Sequence, residues 1–433
     1  MINSLPSLSK AVERIRRKEL TSAEVLEFCL AQIEQHESQV RAWVMIDERG
    51  ARAEAARLDE LARTGQIVGP LHGMPIGIKD IIDVAGWPTR AGSPLRVNHV
   101  ATEDAELVGR LRRAGAIILG KTVTTEFAGF DPPPTRNPWN LDHTPGGSSS
   151  GSAAAVALQM CVAAIGTQTG GSIVRPAAYC GVVGLKPTLF SISVDGVVPL
   201  SPNLDHAGPL ARSVADAAVL YDVLQRLNMP VPSGRAPRLS WLKGFFWEQA
   251  DDDVRRVTEQ ALRKLGDLVE IRDWRGLPDS FRDVHLHHRC IMATDAAEFH
   301  RESFQAHRDQ YGPKIGALIQ EGLDMAAVDY ARSLRMQRQF ATQFQNALGT
   351  AILVTPATTT VAPHGGGSTG DPAFNAPWSF AGVPTVTIPC GLAPNGLPCG
   401  LQLVAAKLDE QSLLAVAARC EERLQFHERP AAP

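Results

Sequence analysis

The chain has 433 residues, of which 44% are hydrophobic and 21% charged, and its formal net charge is −3. Both signs of charge are scattered along the sequence, so no basic face indicates nucleic-acid binding and no polybasic cluster indicates an anionic membrane surface. The length admits two or three average domains, although large α/β enzymes often build one continuous core from this much sequence. We therefore expect a folded protein whose partner is a small molecule without strong charge.

Cysteine usage and the N-terminus indicate the compartment. The seven cysteines lie far apart, and their number is odd in a chain too large to need disulfide bonds, so they are expected to be reduced. The first residues lack a basic region followed by an apolar run, and no segment approaches the roughly 20 apolar residues of a membrane span. A cytoplasmic protein without a membrane partner is therefore expected.

The N-terminal part predicts alternating helices and strands. The Thr21 hydroxyl can cap a helix while Glu24 reaches back, which is the capping-box arrangement. A further helix is predicted over 104–113 and ends at Gly115, after which the apolar run 116–119 reads as a buried strand. Such alternation is typical of a sheet with covering helices.

The C-terminal part contains a long helical stretch and then returns to the core. Residues Asp251 to Asp253 place negative charge at the start of a helix, and the stretch from about 291 to 346 is rich in helix formers. We interpret 210–350 as a mainly helical cap with a strand or two, including Arg238–Leu242. Three elements follow it: strands over 351–355 and 384–389 and a closing helix over 409–424. The core sheet is thus predicted to use both ends of the sequence.

Two clusters of small residues could carry chemistry. Residues 146–152 read Gly-Gly-Ser-Ser-Ser-Gly-Ser and are followed directly by the apolar, helix-forming run 153–157, which argues against a flexible linker. The second cluster, Thr169 to Ser172, follows an apolar strand, and its consecutive N–H groups could bind a developing oxyanion beside the Ser172 hydroxyl. Serine is a weak nucleophile at neutral pH, so a base is required.

Lys79 is the best candidate for that base. It stands on an apolar, glycine-punctuated strand, and desolvation there would lower its pKa and make the amine usable as a base. The alternative is a buried lysine paired with Asp80 or Asp83, and from this segment alone the two interpretations remain equally open. A base at Lys79 requires the Asp80 side chain to point away from the amine.

These pieces together resemble the amidase signature family. The chain contains a Gly-x-Lys-Asp segment around Lys79, a Gly-Gly-Ser-Ser-x-Gly-Ser turn and a Thr-Gly-Gly-Ser-Ile turn in the family's order, and the likeness extends over nearly the whole chain. The resemblance implies that Ser172 is the nucleophile, Ser148 the serine after a cis peptide bond from Gly147, and Lys79 the base. It also implies that Ser149 helps to orient the lysine, and it assigns the oxyanion hole to four N–H groups, those of Thr169, Gly170, Gly171 and Ser172.

The resemblance also implies the fold. An α/β protein is expected, with a large mixed central sheet covered by helices on both faces. The whole chain, 1–433, is expected to form one amidase domain. Within it, the resemblance gives a signature core of about 70–205, a variable helical insertion of about 210–350 and a C-terminal return over 351–433.

The chain departs from the family at two places near the nucleophile. Many members have aspartate where this chain has Gln168, and arginine where it has Val174, with Arg175 one place later. The catalytic serine and the glycines are unchanged. The departures therefore concern the sub-family and the substrate rather than the chemistry.

Competing motifs favour other functions less well. Residues 115–122 fit the letters of the nucleotide-binding pattern G-x-x-x-x-G-K-T, but the four middle residues are apolar and read as a strand, where a phosphate cradle needs an open loop. Cys180 has no histidine partner and is better explained by core packing. A metal site is disfavoured because the expected helix lacks ligand-pair spacing, although it carries four possible ligands: His285, His287, His288 and Cys290.

The resemblance thus implies an amidase that needs no metal or organic cofactor. Its substrate would be a small amide, aryl amide, carbamate or urea derivative, and Trp378 and Phe380 could line an apolar pocket, with core packing as the alternative. A homodimer is compatible with the sequence. Two other functions stay open: a glutamine-hydrolysing amidotransferase subunit of a multi-subunit complex, and a catalytically silent structural subunit.

Overall fold

A computed structural model describes residues 4–226, 239–270 and 276–431. Its strands are β1 (Trp43–Ile46), β2 (Pro75–Lys79), β3 (Ile117–Thr122), β4 (Ala163–Gln168), β5 (Val183–Lys186), β6 (His206–Ala211), β7 (Leu239–Trp241), β8 (Val269–Glu270), β9 (Ile352–Pro356), β10 (Thr385–Leu392) and β11 (Pro398–Val404). Its α-helices are α1 (Leu8–Arg16), α2 (Ser22–Val40), α3 (Glu48–Arg63), α4 (Glu106–Arg113), α5 (Ser150–Ala157), α6 (Val174–Cys180), α7 (Val214–Leu224), α8 (Phe245–Glu248), α9 (Asp252–Leu265), α10 (Val284–His307), α11 (Pro313–Leu323), α12 (Ala327–Leu348), α13 (Ala376–Ala381) and α14 (Glu410–Leu424).

The described strands form one mixed sheet in the order β1-β3-β2-β4-β6-β5-β10-β11-β9-β7-β8. Strand β2 pairs in parallel with β3 and β4, whereas β4 with β6 and β10 with β11 are antiparallel. Every residue of β2, β3, β4, β5 and β6 is buried, as expected when helices cover both faces of a sheet. The predicted fold class, a large mixed α/β sheet covered on both faces, is confirmed.

Local sequence signals account for most of these elements. The Thr21 capping box is formed at the start of α2, and the Asp251 side chain accepts the Val254 N–H at the start of α9. Strands β9 and β10 fall where apolar runs predicted them, and β10 and β11 join the C-terminal part to the centre of the sheet. The use of both ends of the sequence is thereby confirmed.

The middle of the chain is largely helical where it is described. Helices α10, α11 and α12 occupy the predicted stretch of 291–346. Strand β7 corresponds to the predicted strand Arg238–Leu242, of which Arg238 lies outside the described residues. Within the described ranges no helix combines the length and the apolar character that crossing a membrane requires.

The sheet brings the two chemical segments together at one edge. Strands β2 and β4 are parallel neighbours, with Ile76 opposite Ala163 and Ile78 opposite Ile165. Lys79 is the last residue of β2, and the turn 169–172 begins where β4 ends. Because the carboxyl ends of parallel neighbours lie side by side, the lysine meets the turn 169–172, called the serine turn below.

Candidate active site

The Lys79 amine lies inside the protein and touches two hydroxyls. Its side chain is 0% exposed, and its Nζ lies 2.7 Å from the Ser148 Oγ and 2.8 Å from the Thr167 Oγ1. Burial lowers the pKa of Lys79 well below its usual value, and the negative charge of Asp205 opposes that shift more weakly. The amine therefore sits where the neutral form is favoured and where it can accept a proton from a hydroxyl.

Asp80 is not the partner of Lys79. Its carboxylate lies 3.0 Å from the Lys121 Nζ, and the two side chains are 1% and 0% exposed. The Asp80 carboxylate is therefore paired with Lys121 and not with the Lys79 amine, as a base at Lys79 would require. Lys121 lies on β3 and also donates to the Pro88 carbonyl and the Thr89 hydroxyl, so the G-x-x-x-x-G-K-T stretch is a buried strand rather than a phosphate loop.

The first small-residue cluster forms a tight turn into α5. The peptide bond between Gly147 and Ser148 is cis, as the resemblance predicted, and Ser148 is 1% exposed. Ser149 does not reach the amine itself: its Oγ accepts the Thr167 N–H and donates to the Thr167 carbonyl, both at 3.2 Å. It is the Thr167 hydroxyl, on the same residue, that holds the lysine. Ser149 thus contacts the backbone of the residue whose hydroxyl bonds the Lys79 amine.

Ser172 lies on the turn between β4 and α6. It is 9% exposed, and its carbonyl accepts the Ser149 N–H at 3.3 Å, which places the serine turn against the cluster 146–152. Across the described residues no hydrogen bond joins the Ser148 and Ser172 hydroxyls. The structure thus links Lys79 directly to Ser148 and links Ser172 to that turn through the backbone.

The two departures from the family pattern have structural roles. The Gln168 Oε1 accepts the N–H groups of Ile173 and Val174 at 2.9 and 3.0 Å, where α6 begins. The Gln168 Nε2 donates to the Ser379 Oγ at 3.1 Å. Arg175 is buried, and its Nη2 donates to the Gly147 carbonyl of the cis peptide at 2.7 Å. Both residues hold the backbone around the serines.

Two residues at the site were missed by the sequence reasoning. Thr167 provides the second hydroxyl at the lysine amine. Asp205 accepts the Thr169 hydroxyl at 2.5 Å and the N–H groups of Leu200 and Ser201, and burial raises its pKa to about 6. The signal for Thr167 was its place on β4 two residues before the turn. The sequence offered only a weak signal for Asp205, namely that this acidic residue directly precedes the mostly apolar run 206–211.

Trp378 and Phe380 lie in an aromatic cluster, which matches the core-packing alternative. They are 0% and 1% exposed, and Trp378 stacks on Phe246 with ring centroids 5.3 Å apart and an interplanar angle of 12°. Phe380 packs against Phe340 at 5.9 Å. Ser379, between them on α13, reaches the serine turn and donates to the Gly170 carbonyl.

The histidines of α10 act separately. His287 bonds the Ser333 hydroxyl at 3.0 Å, whereas His288 bonds the Thr169 carbonyl at 3.0 Å. Within the described parts of the chain, no group of three or more His, Cys, Asp or Glu residues could hold a metal ion. Cys180 is buried in α6, and burial raises the pKa of its thiol. It is a core residue, as its sequence context indicated.

Known proteins resemble this chain in sequence. The model of the Amidase family matches residues 24–414. A glutamyl-tRNA(Gln) amidotransferase subunit from Roseiflexus sp. (strain RS-1) is 34% identical, over 98% of this chain and 97% of its own length.

Solved structures agree with the sequence comparison. A crystal structure of an amidase superimposes with a TM-score of 0.89 at 32% identity, covering 96% of this chain and all of the other. The peptide amidase from Stenotrophomonas maltophilia gives a TM-score of 0.85 at 30% identity, with 99% of each chain covered. The similarity therefore extends over the whole sheet and its helices.

Proposed function

Because this chain belongs to the amidase family, also called the amidase signature family, we propose that it hydrolyses a C–N bond in a small amide or amide-like substrate. The substrate classes are aryl amides, carbamates and urea derivatives as well as simple amides. The observation that carries this proposal is the buried hydrogen bond of 2.7 Å between the Lys79 Nζ and the Ser148 Oγ, next to the turn that bears Ser172. A lysine whose neutral form is favoured, a relay hydroxyl and a serine on the neighbouring turn are the parts that acyl transfer requires.

The proposed reaction has two halves. In the first, the Ser172 Oγ attacks the substrate carbonyl carbon while its proton passes through the Ser148 hydroxyl to Lys79. The tetrahedral oxyanion accepts hydrogen bonds from N–H groups of the turn, which we assign to Thr169, Gly170, Gly171 and Ser172. The C–N bond then breaks as the Lys79 ammonium returns its proton through Ser148 to the leaving nitrogen.

The second half releases the acyl group. Water attacks the acyl-enzyme carbonyl, gives a proton through Ser148 to Lys79, and the Ser172–acyl bond breaks as that proton returns to the Ser172 oxygen. A hydrogen bond between the Ser148 and Ser172 hydroxyls is required in both halves. We expect it to form when substrate binds, since catalytic hydrogen bonds often tighten only in the substrate complex.

The test is a labelling and pH experiment on the purified protein. A fluorophosphonate probe should label Ser172, located by peptide mass mapping, and a panel of amides, carbamates and urea derivatives should reveal turnover. The pKa of Lys79 is lowered, and only the neutral amine is a base. We therefore expect kcat/KM to rise as the pH rises through that lowered pKa and to be low at lower pH, where the amine is protonated.

Variants decide between the assignments. Lys79→Ala should lose nearly all amide turnover and the rising limb of the pH profile. Ser152→Ala is the matched control, because Ser152 is a buried serine of α5 that bonds Thr122 and Ile165 rather than the lysine. Label on Ser148 or Ser152 with Ser172 unlabelled would overturn the assignment of the nucleophile, and an unchanged profile in Lys79→Ala would overturn that of the base.

A second candidate function is favoured by the name of a relative. The Roseiflexus protein is one subunit of an amidotransferase, so a glutamine-hydrolysing component of a larger complex is the alternative for this chain. Glutamine hydrolysis that depends on co-purified partner subunits, with no turnover of other amides by the isolated chain, would favour it. Absence of both labelling and turnover would instead favour a catalytically silent structural subunit.

We also propose that the mainly helical segment of about 210–350 shapes the substrate pocket. Support comes from α10, which brings the His288 side chain to the Thr169 carbonyl at 3.0 Å. Residues 227–238 and 271–275 of this segment lie outside the described residues.

A further inference from the structure

The serine turn has a one-sided pattern of hydrogen bonds. Each carbonyl of residues 169–172 accepts a protein donor: Thr169 from His288 at 3.0 Å, Gly170 from Ser379 at 2.9 Å, Gly171 from the Arg175 N–H at 2.9 Å, and Ser172 from the Ser149 N–H at 3.3 Å. The N–H groups of Gly170 and Gly171 make no hydrogen bond within the described chain. The protein therefore binds the turn by its carbonyls and leaves these donors for a ligand.

The geometry of the peptide unit turns this pattern into an orientation. In a planar trans peptide, C=O and N–H point in opposite directions. The peptide between Thr169 and Gly170 and that between Gly170 and Gly171 are trans. A donor on the Thr169 carbonyl therefore directs the Gly170 N–H away from α10, and a donor on the Gly170 carbonyl directs the Gly171 N–H away from α13.

His288 is suited to this task. A carbonyl oxygen can only accept, so the His288 Nε2 must carry the hydrogen. The side chain is buried, and burial lowers its pKa to about 4, so the imidazole is neutral at neutral pH. It supplies a donor without adding a cation next to the serine turn.

Ser379 has its single proton directed by a neighbour. The Gln168 Nε2 donates to the Ser379 Oγ at 3.1 Å, so the hydroxyl proton is left for the Gly170 carbonyl at 2.9 Å. Gln168 also caps α6 through its Oε1. One amide therefore fixes both the start of the helix and the direction of the hydroxyl.

We propose that His288 and Ser379 are positioning residues that hold the Thr169 and Gly170 carbonyls from outside and so aim the Gly170 and Gly171 N–H groups at the oxyanion. This inference rests on the proposed function, because it assigns those N–H groups to a tetrahedral intermediate. It gives the helical segment a role in catalysis through a residue that acts by way of the Thr169 carbonyl. The two side chains come from α10 and α13, which are far apart in sequence.

The test compares His288→Leu with His288→Gln. The leucine variant removes the donor, whereas the glutamine Nε2 can replace the histidine Nε2. Loss of a whole oxyanion donor costs about 100-fold to 1,000-fold in kcat, so misdirecting one is expected to cost about 10-fold to 100-fold, with KM changed by less than about threefold. His288→Gln should recover kcat to within about fivefold of wild type. Ser379→Ala, which removes the donor to Gly170, should lower kcat in the same range as His288→Leu.

His287→Leu is the matched control. It removes a neighbouring buried histidine of the same helix, but one that bonds Ser333 on α12, so kcat and KM should stay at wild-type values. Fluorophosphonate labelling of Ser172 is a second readout, since the phosphonyl oxygen occupies the same hole. It should slow in His288→Leu and Ser379→Ala but not in His287→Leu.

The outcomes separate this inference from the function on which it rests. Wild-type protein that neither turns over an amide nor labels at Ser172 overturns both. Wild-type activity together with unchanged kcat in His288→Leu and Ser379→Ala overturns only the positioning role, as does an equal loss in His287→Leu. If His288→Leu does not fold, Ser379→Ala alone decides by the same criteria.

Discussion

Replacing Lys121 by methionine should destabilise the protein strongly without changing the proposed catalytic groups. Methionine retains most of the length and apolar character of the side chain but leaves Asp80 as a buried carboxylate without its cation. The two charges lie 3.0 Å apart, and each side chain is at most 1% exposed. At an effective dielectric constant of about 20, their attraction is roughly 5 kcal/mol.

Desolvation of both ions opposes that attraction, so the net value of the pair is much smaller than the cost of breaking it. Removing one partner of a buried pair costs about 3–5 kcal/mol, because the other charge stays buried. Neutralising both, in Lys121→Met with Asp80→Asn, should cost only about 0–2 kcal/mol relative to wild type. The single variant Lys121→Met and the double variant both lose the Lys121 hydrogen bonds to Pro88 and Thr89, so the difference between these two variants isolates the effect of the Asp80 charge.

The assay is the free energy of unfolding from urea titrations of wild type, both single variants and the double variant. The interaction energy of the cycle should exceed about 1.5 kcal/mol, as for residues in one buried network. Additive losses would refute the buried pair. A Lys121→Met variant as stable as wild type would refute the magnitude, and would reopen the question of what the G-x-x-x-x-G-K-T stretch does.

Two further predictions concern α13 and the residue that holds it to the serine turn. Gln168→Glu keeps an acceptor for the start of α6 but loses the donor to Ser379, so the Ser379 proton should turn from the Gly170 carbonyl to the new carboxylate. We expect kcat to fall about tenfold at constant KM. An unchanged kcat would refute the assigned direction of the Ser379 hydroxyl. Trp378→Ala should lower the free energy of unfolding by about 3–5 kcal/mol, because it leaves a cavity beside Phe246, and KM should not change. A large rise in KM at an unchanged free energy of unfolding would instead show that Trp378 lines the substrate pocket.

The resemblance to the amidase signature family placed Lys79 and Ser148 in one site, and local features of the sequence give part of the physical reason. A lysine on an apolar strand is destined for burial, and a glycine-rich turn that leads into a helix exposes its hydroxyls to a shared space. The register of β2 against β4 then supplies the meeting point. The contact of Ser149 was not predictable in the same way, since its bonds to Thr167 depend on how the turn lies across β4.

The His288 and Ser379 supports of the serine turn could not be predicted, because they come from two distant helices, α10 and α13. His288 stood in the sequence as one of several histidines that could bind metal. Consecutive residues of a helix point about 100° apart, so His287 and His288 serve different neighbours, Ser333 and the serine turn. Ser379 was hidden between Trp378 and Phe380, whose aromatic character drew attention to the pocket. No short-range pattern indicates which face of α10 or α13 lies against the turn 169–172.

The side chain of Gln168, which departs from the family pattern, supports the serine turn and α6 and takes no part in the proposed chemistry. An aspartate at this position is one methylene shorter and, when ionised, has no proton to give, so it can only accept from the α6 N–H groups and from Ser379. The amide does both: its oxygen caps α6 and its nitrogen pushes the Ser379 proton towards Gly170. Reverting Gln168 to aspartate alone would therefore remove a donor that α13 relies on. With glutamine at 168 and a hydroxyl at 379, the proposed nucleophile Ser172 and its turn are unchanged, and the proposal assigns the orientation of the Gly171 N–H to this neutral relay.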